Sequence, residues 1–119
     1  TMNLNKLVFT IAEGKLIADP DEIVMLKKCE DFFICFTTIG NEVILHMKLS
    51  ELRKITEHYG FIAINRHLII NLMHLELITN CPKPTLKMKH IAESVPISEK
   101  NARKLCVRIK EMTRKIIET

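Results

Sequence analysis

The sequence predicts a mainly β fold with one internal helix and a C-terminal amphipathic helix. Three observations lead there. Short apolar stretches alternate with polar residues, Gly, Asn, Asp or Pro punctuates most of the gaps between them, and in two segments the apolar spacing changes from two to three or four. The 119 residues fit one domain, read as 1–119 with its core over about 5–109.

Lys6–Ile11 and Lys15–Ala18 flank Glu13-Gly14 and read as a hairpin, with Gly supplying the turn. Asp19-Pro20-Asp21 is a turn signal, after which Glu22–Lys28 reads as a strand ending on two lysines. Asp31–Thr38 and Glu42–Lys48, separated by Ile39-Gly40-Asn41, form the clearest hairpin. In its second arm Val43, Leu45 and Met47 alternate with Glu42, His46 and Lys48, the period of a half-buried strand.

Over Leu49–Gly60 the period changes. Leu49, Leu52, Ile55 and Tyr59 recur at helical spacing, with Ser50 as the expected cap and Gly60 as the stop. Then comes "FIAINRHLIINL", residues 61–72, an apolar run interrupted by Asn65, Arg66 and His67, so the run breaks there. His74–Thr79 and Thr85–His90 read as strands around a Pro-bounded turn at 81–84, and Ser94–Ile97, with Pro96 inside it, as an edge strand. Ser98 caps a last helix, about 98–118, in which Ala102, Leu105, Cys106, Ile109, Met112 and Ile116 form the apolar stripe. Lys100, Arg103, Lys104, Lys110, Arg114 and Lys115 gather opposite, with Val107 among them.

Composition narrows the function. With 47% hydrophobic and 27% charged residues the chain is not of the disordered class. No apolar run approaches the roughly 20 residues of a membrane span, and the N-terminus lacks a signal-peptide layout, so the expected compartment is the cytoplasm, with no membrane partner. Cys29, Cys35, Cys81 and Cys106 show no CxxC pair and read as free thiols; a zinc site joining them to His46 or His90 would need four separate segments. There is no Gly-rich phosphate loop, paired-carboxylate motif, HExxH or GxSxG, so the sequence offers no enzyme, cofactor or metal chemistry. Residues 1–81 hold eight Lys/Arg against ten Asp/Glu, whereas residues 82–119 hold ten against four. A basic end on a near-neutral body points to a polyanionic partner, nucleic acid before an anionic membrane.

The polar break admits two readings. Asn, Arg and His can be an ordinary strand-to-turn junction. They are also residue types that read base edges, Arg forking onto guanine and Asn pairing with adenine.

The order "EIVMLKKCEDFFICFTT", "LSELRKI", "GFIAINRHLIINLMHLELI" and "VPISEKNARKL" resembles the LytTR family of bacterial DNA-binding domains, usually the output half of response regulators. That family's most specific block is matched at Phe61, Ile64, Arg66, Leu68–Ile70 and Asn71. It departs at Ala63, where Arg is usual, at Asn65, where His is usual, and at His67, where Ser is usual. A later Val-Ser-Arg block is partly kept as Ile97-Ser98-Glu99, with Lys100 the nearest base. The resemblance implies elongated antiparallel sheets that present loops to the major groove of double-stranded DNA.

Carried over by position, the contacts are Lys28, Glu30 and Asp31, then Asn65, Arg66 and His67, then Lys100, Asn101 and Lys104. Lys27, Lys28, Lys100 and Lys104 would hold phosphates, while Asn65, Arg66 and Asn101 would read bases. Asn71 is assigned to structure, as the cap of a turn, and Phe61 and Ile64 to the core. An upstream receiver domain and a second copy on repeated sites are the implied protein partners. The alternative is a protein-interaction or dimerisation module that keeps the LytTR fold with a degenerate DNA face, its last helix serving as the docking element.

Overall fold

The computed structural model describes residues 5–118, with side chains described as far as residue 113. The side chains of Arg114, Lys115 and Ile116, assigned above to the two faces of the last helix, lie outside the described residues. Among the described residues ten strands and two α-helices follow one another: β1 (Leu7–Ile11), β2 (Gly14–Ala18), β3 (Ile23–Cys29), β4 (Phe32–Thr37), β5 (Glu42–Leu45), α1 (Leu49–Thr56), β6 (Phe61–Asn65), β7 (Leu68–Asn71), β8 (Leu75–Thr79), β9 (Thr85–Met88), β10 (Val95–Pro96) and α2 (Glu99–Glu118). All strand pairings are antiparallel. The mainly β fold with an internal and a C-terminal helix is therefore as the sequence predicts.

A five-stranded sheet ordered β5-β4-β3-β7-β6 forms the middle layer. β3 lies at its centre, paired to β4 through Leu26 and Cys35 and to β7 through Leu26 and Ile69. Its run Ile23–Leu26 is buried throughout, because this strand is covered on both faces and needs no alternation. One face carries Leu26, Phe33, Cys35, Leu45 and Ile69 and packs against the β1–β2 hairpin, through Leu7 and Phe9, and against α1, through Leu52. The other carries Val24, Met25, Leu68 and Ile70 and packs against β9 and β10, through Leu86, Met88 and Val95, and against Ala102 and Leu105 of α2. Each such fully buried aliphatic or aromatic side chain contributes about 1.5–3 kcal/mol by leaving water. Phe61 is buried and Ile64 half-buried against the second cluster, in accord with their assignment to the core.

Local chemistry accounts for most element ends. Gly60, with φ +80, stops the turn that follows α1. Ser98 Oγ accepts the Asn101 N–H at 3.1 Å and caps α2 as expected. Pro96 lies in β10, at the edge of the three-stranded sheet β10-β9-β8. Three local expectations are corrected. Ser50 lies inside α1 rather than before it; the cap position is Lys48, whose N–H donates to Glu51 Oε1 at 3.0 Å. The second arm of the clearest hairpin stops at Leu45, and the His46 N–H turns to the Thr10 carbonyl at 2.8 Å. His74 does not begin a strand; it closes a 3₁₀ turn at Leu72–His74 and is buried, its Nε2 2.6 Å from the Asp21 carbonyl oxygen.

Asn71 caps that 3₁₀ turn, accepting the Met73 N–H at 3.1 Å. Its Nδ2 donates to the carbonyls of Pro20 and Ile23, at 3.0 and 2.9 Å. The cap expected from its place at the end of an apolar run is present, together with a tie to the start of β3 that has no signature in the sequence.

Candidate nucleic-acid interface

Two hairpin tips lie side by side at one end of the five-stranded sheet. β3 and β4 are joined by Glu30-Asp31, with Glu30 in the left-handed region at φ 57. β6 and β7 are joined by Arg66-His67, flanked by the cross-strand pair Asn65 and Leu68. The pairing of β6 shifts register between Ala63 and Asn65, so Ile64 is the extra residue of a bulge that re-aims the tip. Since β3 and β7 are neighbours, their ladder runs on to the tips: the Lys28 N–H donates to the His67 carbonyl at 2.8 Å.

The turn is shaped from inside. Asn65 Oδ1 accepts the His67 N–H at 2.7 Å, an Asx turn that fixes the backbone between them. That oxygen is engaged within the protein, whereas the Arg66 and His67 side chains stand exposed with their polar groups free of intramolecular bonds among the described contacts. The interruption of the apolar run is therefore a tight turn, and it presents two side chains outward.

Lys28, Asp31, Arg66 and His67 border one depression of about 440 Å³, together with Phe33, Met47, Lys48 and Leu49. Three cations face one carboxylate there, a field that favours an anion. Alternate residues of a strand share a face, so Lys28 stands on the side of Leu26 and Phe33, facing α1. Lys27, half-buried and in register with Ile34 and Leu68, faces the other side, where α2 packs. Lys100, Asn101 and Lys104 begin α2 and do not line the depression. Lys100 and Lys104 are exposed and Asn101 is half-buried, with its backbone N–H engaged by Ser98. Ala102 and Leu105, from the same turn of helix, share a cluster with Leu68, the residue after the Arg66-His67 turn.

The candidates thus fall into two groups: Lys28, Asp31, Arg66 and His67 around the paired tips, and Lys27 with the start of α2 on the opposite face. Lys48 is a further cation of the first group that the sequence reading treated only as an outward strand residue. The available signal was its place directly before a helix whose third residue is Glu. Among the described residues no three His, Cys, Asp or Glu side chains converge as a metal site would require, and no helix is long and apolar enough to cross a membrane.

Comparison with known proteins agrees with this architecture. The chain is similar in structure to the LytTr DNA-binding domain of a protein from Bacillus cereus described as a methyl-accepting/DNA response regulator. The TM-score is 0.69 at 17% identity, over 87% of this chain and 94% of that one, a likeness of fold. No curated protein matches. The family model for the LytTr DNA-binding domain matches residues 14–110, which include both hairpin tips and the first half of α2, and the chain accordingly belongs to the LytTR family of DNA-binding domains.

Proposed function

We propose that this chain binds double-stranded DNA sequence-specifically as a bacterial transcriptional regulator of the cytoplasm, with no catalytic activity of its own. The observation that carries the reading is the backbone bond between Lys28 and His67, which locks the two tips into one rigid unit and sets Arg66 and His67 beside a cationic depression. A unit of two hairpin tips can enter a major groove about 12 Å wide, and a rigid mount spares the ordering cost of binding.

Roles divide by chemistry. Arg66 has the planar fork that matches the two acceptors of guanine, and its exposure at the tip suits base readout. Lys28 and Lys48 are point charges on flexible stems, suited to the phosphates on either side. His67 stands beside them, and Asp31 would repel phosphate while accepting from a cytosine amino group. Lys27, Lys100 and Lys104 would follow the backbone from the other face, with Asn101 at the helix start. Asn65 moves from reader to scaffold, because its acceptor oxygen is already engaged by His67. A receiver domain joined upstream, and a second copy on tandem sites, complete the reading.

The test separates positioning from readout. Affinity for duplex DNA, measured by fluorescence anisotropy across a salt series, should fall in Lys28→Ala and Lys48→Ala about equally for all sequences. Each loss should flatten the plot of log affinity against log salt by about 0.9 per phosphate released. Unchanged slopes in both variants would remove the depression from the interface.

A further inference from the structure

We propose that the outward stripe of α2 around Val107, Arg108 and Met112 docks an acidic, amphipathic helix of a partner protein. The helix uses Ala102, Leu105 and Ile109 to pack on the sheet. On the outward side Arg103, Lys104, Val107, Arg108 and Glu111 are exposed; Met112, expected in the apolar stripe, follows Leu105 and Ile109 at helical spacing but is exposed at the margin of that packing face, and together they border a shallow depression of about 490 Å³. Val107 is 55% exposed, an apolar side chain where a merely solvated face would place a polar one, and Met112, at the edge of the packing face, is 40% exposed.

Position and charge select the occupant. Arg108 also borders a second depression with Arg53, Glu57, Phe61, Ile62 and Ala63, along the first half of β6. The Arg66 turn lies beyond the other end of that strand, whose Asn65 is about 7 Å from Ala63 and about 13 Å from Phe61 at 3.3 Å per residue. Val107, Arg108, Glu111 and Met112, a turn or two beyond the Lys104 assigned above to phosphate, are thus clear of the paired tips and stay accessible while they are engaged. Phosphates would satisfy the cations but leave Val107 and Met112 in water. A second copy would set Arg103, Lys104 and Arg108 against cations of its own, with Glu111 the single carboxylate on the stripe among the described residues. An acidic helix with a Leu, Ile or Phe stripe meets both needs, burying the apolar pair while its carboxylates face Arg103 and Arg108.

The test is panning of a phage-displayed library of random helix-biased peptides on the immobilised full chain, with the Val107→Ser/Met112→Ser double variant in parallel. These exposed positions leave the fold intact, which circular dichroism checks. The expected result is enrichment of peptides with Asp or Glu flanking an apolar stripe, at least tenfold weaker on the double variant and on Arg108→Glu. Absence of acidic enrichment, or equal binding to the variants, overturns the proposal. So does a parallel loss of duplex DNA affinity in the Ser double variant, which would assign the stripe to nucleic acid. A concentration-dependent sedimenting mass that this variant abolishes would assign it to a second copy and overturn the proposal equally.

Discussion

Replacement of Asn65 by Ala distinguishes a scaffold from a reader. The substitution removes one hydrogen bond, from the His67 N–H to Oδ1 at 2.7 Å, at an exposed turn. Such a bond contributes about 1 kcal/mol net. Because 1.4 kcal/mol is a factor of ten, the turn-forming equilibrium shifts by about fivefold at most. The Lys28 to His67 bond and the Asn65–Leu68 pairing remain to hold the tip, so the bound conformation stays well populated. Affinity for the preferred duplex should therefore fall no more than about fivefold, and by the same factor for every single-base-pair variant of it. Competition anisotropy over such a panel is the assay, with Asn65→Ser, which keeps an acceptor, expected between Ala and wild type. Were Asn65 instead paired with an adenine, its loss would cost about 1–3 kcal/mol at one base pair and leave the others alone. A selective collapse of preference at a single position would refute the scaffold assignment.

Two further outcomes follow from the buried polar groups. Asn71→Leu strips partners from the Pro20 and Ile23 carbonyls and from the Met73 N–H; at about 1–3 kcal/mol per orphaned group, partly relieved by solvent, the loss should be about 3–5 kcal/mol. Urea unfolding should show it as a lower midpoint at unchanged slope, and a shift under about 1 kcal/mol would contradict the bonding described. Burial pushes the Cys35 thiol up to about 12, so at pH 8 a thiol reagent should label exposed Cys29 and Cys81 in the folded protein and reach Cys35 only in denaturant. The unfolded thiol ionises at about 8.5, so this contribution to stability is complete below that pH and is lost as pH rises toward the folded value. Native labelling of Cys35, or flat stability from pH 8.5 to 11, would contradict it.

Elements governed by neighbours along the chain were legible in the sequence. The hairpins at Gly14 and at Ile39-Gly40-Asn41, the helix after Lys48, the Ser98 cap and the edge strand at Pro96 all follow from turn chemistry and periodicity. What was not legible depends on distant pairing. Nothing local to Lys27 or Leu68 announces that β3 lies beside β7, and that pairing is what unites the two tips. The same holds for Asn71 reaching Pro20 and His74 reaching Asp21, across more than 45 residues. Among the site candidates, Arg66 and His67 were marked by the break they make in an apolar run. Asn65 carries the same mark, and only its bond to the His67 N–H, which the sequence does not announce, sets it apart. Lys27 and Lys28 are adjacent letters, yet strand alternation sends them to opposite faces.

The most direct test of the central claim is selection from a random duplex pool at moderate salt, with wild type and Arg66→Ala in parallel. The account predicts an enriched motif for the wild type, and for the variant residual salt-sensitive binding without that preference. No enrichment by the wild type, or the same motif selected equally well without Arg66, would contradict the claim that the paired hairpin tips read sequence.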